Sequence, residues 1–281
     1  MITSAPFDDW WHNAYGLDVK IISPPHTVLA AGMIAIQIGA MLTVLARQNR
    51  AAAPGGRLSL LLVASAALLL VMHATVLMEE AAFPNHMHAS RFYRITALGF
   101  PLVLAMMARV ARLRWPATTA AALYLAIELV ILWTLQLVPA QPRLAPIFNP
   151  VTHMVPQPFP LLIVVPAVAI DLLVRNVRGR DGALAAAVGI AYVTLMVAVH
   201  WFFADFLLSP AARNFVFGAD KWDYNVTLGD WRYENWQIDR DAAGDWSRGR
   251  FLIGMAVAVP IATVSARVGL WLGKHMTRVQ R

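Results

Sequence analysis

Seven apolar runs, near 26–46, 58–80, 93–111, 117–138, 157–175, 183–208 and 251–273, constrain this chain more than any other feature. Each is long enough to cross a hydrocarbon core of roughly 30 Å, which takes about 20 helical residues. A backbone in lipid must satisfy its own polar groups, so the runs predict helices. At 59% hydrophobic and 14% charged residues, the chain is far more apolar than a soluble domain of its size. The expectation is an all-α, polytopic integral membrane protein of about seven helices, forming a single domain over 1–281 with lipid as its first partner. An outer N-terminal segment, 1–25, precedes the helices, and an outer loop or cap, 209–250, interrupts them. Pro101, Pro166 and Pro260 fall inside runs and predict kinks that neighbouring helices can satisfy.

The arginines set the orientation. The links after runs 1, 3 and 5 carry Arg47, Arg50 and Arg57, then Arg109, Arg112 and Arg114, then Arg175, Arg178 and Arg180, and the tail carries Lys274, Arg278 and Arg281. The opposite short links hold one or two basic residues each. The positive-inside rule then puts the N-terminus outside and the C-terminus inside, as in a bacterial inner membrane. The net charge of +7 is dispersed in these links and forms no basic face, so nucleic acid is not an expected partner. No leader with a cleavage site is expected at the N-terminus.

On that topology, seven of the eight histidines lie on or toward the outer side: His12, His26, His73, His86, His88, His153 and His200. A shared outward-facing site is the economical explanation. The absence of cysteine excludes thiolate ligands and nucleophiles, so histidine and carboxylate must carry any metal chemistry. The stretch FDDWWHNAYGLDVKIISPPH, residues 7–26, concentrates these groups. Asp8 and His12 are four apart and share a face of a helical turn, while Pro24 and Pro25 redirect the chain so that His26 opens the next helix. Together Asp8, His12 and His26 form a candidate transition-metal set; the alternative is an interfacial anchor built on the aromatics. His86 and His88 flank Met87 on the second outer link, a pattern that favours copper, against the alternative of solvated loop histidines.

His73 and His200 lie within runs 2 and 6, at an expected common depth of roughly 10–12 Å from the outer end. Ionisable groups at such depth face the bundle interior or a wet cavity. As a pair on different helices they are also candidate axial ligands of a b-type haem. Glu80, Glu128 and Asp205 are the candidate proton carriers. The link 209–250 alternates aromatic and acidic residues, among them Trp222, Tyr224, Trp231, Trp236, Asp239 and Trp246. It reads as a cap over the outer mouth or a docking surface for partner subunits.

Asp8-x3-His12, followed by Ser23-Pro24-Pro25-His26 at the head of a membrane helix, resembles the metal-binding motif of the all-helical third subunit of particulate methane and ammonia monooxygenases. The overlap spans about twenty residues, and the second histidine stands one position later than in that family. The resemblance implies copper at Asp8, His12 and His26. The functional expectation is an outward-facing His/carboxylate metal site, for copper, in an oxidase or monooxygenase component. A copper-handling or assembly protein, or a haem-bearing accessory subunit of a respiratory-type complex, stands as the alternative.

Overall fold

The structure, a computed structural model, describes residues 4–16, 23–51, 56–77, 82, 86–141, 151–155, 159–177, 180–218, 239, 242–243 and 246–280. Among these the chain is helical: α1 (Ser4–Tyr15), α2 (Pro24–Arg50), α3 (Gly56–Leu77), α4 (Ser90–Val110), α5 (Pro116–Leu135), α6 (Val164–Asn176), α7 (Asp181–Leu208) and α8 (Arg248–Met276). Six of them, α2, α3, α4, α5, α7 and α8, are long and apolar enough to cross a membrane. The protein is therefore an all-α, polytopic integral membrane protein.

Polar contacts show which helix ends lie together. Gln48 near the end of α2 donates to the Val110 carbonyl at the end of α4 (3.1 Å) and accepts from Ser59 at the start of α3 (2.7 Å). Asn49 donates to the carbonyls of Met276 and Val279 at the end of α8 (2.9 and 2.8 Å). Arg109 at the end of α4 pairs with Asp181 at the start of α7 (2.8 Å), and Arg267 of α8 reaches the same carboxylate (3.5 Å). Asp171 of α6, buried, accepts from the backbone N–H groups of Ala117 and Thr118 and from the Thr118 hydroxyl (3.0, 2.8 and 2.7 Å). It thereby caps the N-terminus of α5, where the helix dipole favours an acidic side chain. All these contacts belong to one end of the bundle, which also carries Arg47, Arg50, Arg112, Arg114 and Arg175. We call it the arginine-rich end.

These contacts correct the fifth run. A helix over 157–175 was expected, but helix begins only at Val164 and runs for 13 residues, about 20 Å and too short to span alone. The cause is local. Pro156, Pro158 and Pro160 each lack an N–H and disfavour helix in the residue before them. Residues 152–154 pair with 138–140 beyond the far end of α5, through an antiparallel bridge of Pro139 with His153. Since Asp171 sits at the arginine-rich end, the described residues 159–163 form a non-helical stretch that leads into a half-length helix. Irregular backbone at this depth needs partners. Tyr124 of α5 donates to the Pro160 carbonyl, and the Leu162 N–H donates to His200 Nε2 of α7, both at 3.3 Å.

The tightest pairing is α4 with α8, and small residues make it possible. Gly254, Ala258, Ala262, Ala266 and Gly269 are buried along α8. A methyl group built on Gly269 would collide with the Leu102 carbonyl of α4, and one on Gly254 with the Ser90 side chain. This is the close approach that small residues at four-residue spacing allow. Ser265 answers the kink expected at Pro101: its hydroxyl accepts from the Leu102 N–H (3.1 Å) and donates to the Leu98 carbonyl (2.7 Å), standing inside the opened helical ladder.

Candidate metal site and the histidine-rich end

At the end opposite the arginines, Asp8, His12 and His26 come together. Asp8 and His12 share a face of α1, with Asp8 Oδ1 3.8 Å from His12 Nε2. His26 stands in the first turn of α2, behind Pro24 and Pro25, with its Nε2 3.7 Å from the same oxygen. The prolines need no N–H donor there, since the first helical turn leaves its N–H groups unpaired in any case. Each side chain is about one-third exposed, while Asp8 Oδ1 itself is shielded from solvent and accepts no hydrogen bond. With metal–ligand bonds of about 2.0–2.2 Å, two donor atoms on one ion stand at most about 4.3 Å apart, so each imidazole–carboxylate pair lies within reach of a common ion. Among the described residues, there is no group of three or more His, Cys, Asp or Glu side chains that could hold a metal ion as they stand. To share one ion, the three side chains would have to close together.

The aromatics expected to anchor this segment form a layer on α1. Phe7 stacks on Trp10 (5.9 Å between ring centres) and Trp11 lies over Tyr15 (4.4 Å). Trp10 and Tyr15 project outward, 55% and 68% exposed, as residues at a membrane–water boundary do.

Residues 86–88, ahead of α4, differ from the solvated or labile loop that their sequence suggests. Met87 and His88 are buried, and His86 is half-buried. The Met87 carbonyl accepts from Tyr93 (2.7 Å), and the His86 carbonyl closes a turn onto the Ala89 N–H (2.9 Å). His88 packs edge-on against Trp201, with 4.3 Å between ring centres. Its Nε2 is 3.7 Å from Asp205 Oδ1, so Asp205 faces His88 as well as sharing a helix with His200. Burial pushes the His88 imidazole down to about 4, partly offset by a hydrogen bond with the Trp201 backbone. Met87 and His88 therefore build the floor of this end. His153 is exposed, its Nδ1 2.7 Å from the Thr152 hydroxyl.

His200 is fully buried, and both ring nitrogens face backbone groups: Nδ1 the Met196 carbonyl and Nε2 the Leu162 N–H, each at 3.3 Å. It tilts against Phe92 at 5.3 Å. His73 instead meets Phe100 edge-on at 4.9 Å, in a space left by Gly99. Phe92 and Phe100 are eight residues apart on α4, about 12 Å of rise, so the common depth expected of His73 and His200 becomes an offset along the bundle. Glu128 is buried on α5. Glu80, with most of the aromatic link, including Trp222, Tyr224, Trp231 and Trp236, lies outside the described residues.

Two anchoring residues went unrecognised in the sequence. Asp171 reads as a stray charge near the end of an apolar run, although an acid among arginines at a helix boundary was a signal. Asp239 accepts from the Ser90 N–H and hydroxyl, both at 2.9 Å, capping α4 from 149 positions away. Its only signal was its place in an acidic link. Nearby, residues 215–216 fold onto the end of α5, where Trp133 donates to the Val216 carbonyl and Gln136 to that of Phe215, both at 3.0 Å.

Comparison with family models, with curated proteins and with solved structures returned no match for this chain.

Proposed function

We propose that Asp8, His12 and His26 bind one transition-metal ion, copper in preference to zinc, at the outer face of a bacterial inner membrane, as the centre of an oxidase or monooxygenase component. The observation that carries this reading is the convergence of both imidazoles on one carboxylate oxygen across the α1–α2 turn, at 3.8 and 3.7 Å. Two neutral imidazoles and one carboxylate supply three ligands and leave a coordination position open to a substrate. Copper, when bound, supplies redox chemistry with oxygen. Asp8 supplies the anionic ligand between the two imidazoles. Asp205, 51% exposed beside His88, is the group to take up protons at this end of the bundle, a role its exposure supports. The segment 209–250 is the place for a partner subunit to dock, with Trp246 exposed at its edge.

The haem reading draws less support, because both His200 nitrogens are engaged with backbone groups and His73 is offset from it along α4. The test is metal content of detergent-purified protein, by elemental analysis, for the parent and for His12→Ala, His26→Ala, Asp8→Asn and Arg91→Ala. Loss of one of three ligands should lower copper affinity at least tenfold, while Arg91→Ala, exposed on α4, stays at parent level. Equal occupancy in all five proteins would reduce α1 to an interfacial anchor.

A further inference from the structure

Three cations share one carboxylate at the arginine-rich end, where α4, α7 and α8 meet. Asp181, at the start of α7, accepts from Arg109 of α4 with one oxygen (2.8 Å) and faces Arg267 of α8 with the other (3.5 Å). Lys274, seven residues beyond Arg267 and so on the same face of α8, is close enough for its charge to act on that carboxylate. Three positive charges against one negative leave a surplus of two. No further acid relieves it: among the described residues this end holds only Asp171 besides, and that carboxylate is committed to the first turn of α5.

The surplus faces outward. Arg109 is turned into the bundle, where its guanidinium also donates to the Leu270 carbonyl (3.4 Å). Arg267 is 48% exposed and Lys274 is exposed. Between them on the same face stands Trp271, 50% exposed, with His275 against its ring (4.5 Å between ring centres).

Helix register fixes the heights. Gly189 of α7 lies so close to Thr263 of α8 that an added methyl would collide with it. From that crossing Asp181 stands eight residues toward the arginine-rich end, about 12 Å, and Arg267 four, about 6 Å. Arg267 therefore starts about a turn deeper than the carboxylate and extends its side chain up to it, as a snorkelling arginine does. Trp271, eight residues from Thr263, is level with Asp181. Val268, beside Arg267, and Val264, nearly a turn deeper, continue the exposed face as apolar surface.

We propose that Arg267, Trp271 and Lys274 bind an anionic phospholipid, with its phosphate between the two cations, its ester region beside the Trp271 indole and an acyl chain along Val264 and Val268. Basic groups between helices at a membrane surface hold lipid headgroups in this way, and an indole favours the ester level. The preference for an anionic lipid follows from the charge. An anionic headgroup neutralises the surplus that Asp181 leaves, whereas a zwitterionic one brings a further cation into a group that already has too many. The Arg109–Asp181 pair stands behind the site and holds Arg267 in position.

The test is tryptophan fluorescence of the whole protein in phosphatidylcholine nanodiscs that contain a minor fraction of lipid brominated on its acyl chains, either phosphatidylglycerol or phosphatidylcholine. The Trp271 signal is the difference between the parent and Trp271→Phe. Brominated phosphatidylglycerol should quench it more than brominated phosphatidylcholine at the same fraction. Arg267→Gln should lower that preference roughly fivefold, the worth of one basic residue near an anionic surface, and so should Lys274→Gln, which serves alone if the arginine variant does not fold. Arg57→Gln, exposed at the start of α3 at the same end, should leave it unchanged. Equal quenching by the two lipids would overturn the proposal. A preference that survives both glutamine variants, or falls as far in Arg57→Gln, would mean a diffuse field and no site. Loss of the preference on adding inorganic phosphate, but not chloride at equal ionic strength, would make this a small-anion site and overturn the lipid assignment.

Discussion

Replacing His200 by phenylalanine separates a backbone-supporting role from a cofactor-binding one. In the fold His200 Nε2 accepts from the Leu162 N–H, in a non-helical stretch at membrane depth where no water substitutes. Phenylalanine keeps the ring and its packing on Phe92 but leaves that N–H unsatisfied, a cost of about 1–3 kcal/mol. The Met196 carbonyl loses a second donor yet keeps its position within α7, so it adds little. A net loss of about 2 kcal/mol corresponds to a melting temperature roughly 4–8 °C lower, on the scale of domains of 150–250 residues. Asparagine or glutamine, able to present an amide oxygen to Leu162, should recover part of the loss. The assay is thermal unfolding in detergent, together with an optical spectrum of each protein. A His200→Phe variant as stable as the parent would refute the backbone-supporting account. A Soret band present in the parent and lost in the variant would restore the haem reading.

Gly269→Ala should destabilise the α4–α8 pairing by about 1–3 kcal/mol, because the added methyl meets the Leu102 backbone and cannot swing aside; a melting temperature unchanged from the parent would contradict the close packing. Asp239→Ala should cost about 0.5–2 kcal/mol through loss of the α4 cap, and limited proteolysis should then cleave faster between α7 and α8. Asp171→Ala, which strips three hydrogen bonds from the start of α5, should cost more than Asp239→Ala, and unfolding in detergent ranks the two. The His88 imidazole, held down at about 4 against an unfolded value near 6.5, contributes stability that is complete above pH 6.5. That stability is lost as the pH falls toward 4, since only the unfolded chain takes up the proton over that window. The melting temperature should accordingly drop between pH 6.5 and 4, and drop less in His88→Gln.

Much of the fold was legible because lipid permits so few solutions. Apolar runs of about 20 residues could be nothing but helices, and six of the seven are. The fifth run misled because hydropathy reports what a stretch will tolerate in lipid, whereas the prolines at 156, 158 and 160 decide whether it coils. Their number, more than the single prolines at 101 and 260, was the available warning. The partners that rescue the broken stretch, His200 and Tyr124, could not be paired with Pro160 and Leu162 from sequence. That pairing depends on helix register, which is set by side chains far along the chain. The same holds for His88. Its position two residues from His86 suggested a shared solvated face, but the turn onto α4 carries it under Trp201 instead.

The proposed metal group was legible for the opposite reason, since Asp8, His12 and His26 depend on local chain geometry alone. One helical turn brings His12 to Asp8, and a double proline sets the corner from which His26 returns. No contact with the rest of the bundle is needed to assemble them. The structure bears out that independence: from Thr27 to Ala40, α2 buries no residue, and its buried side chains Met41, Leu45, Ala46 and Gln48 lie toward the arginine-rich end. A helix held at one end and free at the other can tilt with little loss of packing, because few apolar contacts are broken when it moves. The closure that Asp8, His12 and His26 require to share an ion is therefore demanded of the part of the fold best able to supply it, and metal binding should rigidify α1 and the first half of α2. Hydrogen exchange with and without copper provides the measurement. Protection should rise over 24–40 and stay level over 41–50, and a rise spread evenly along α2 would place the effect outside the proposed site.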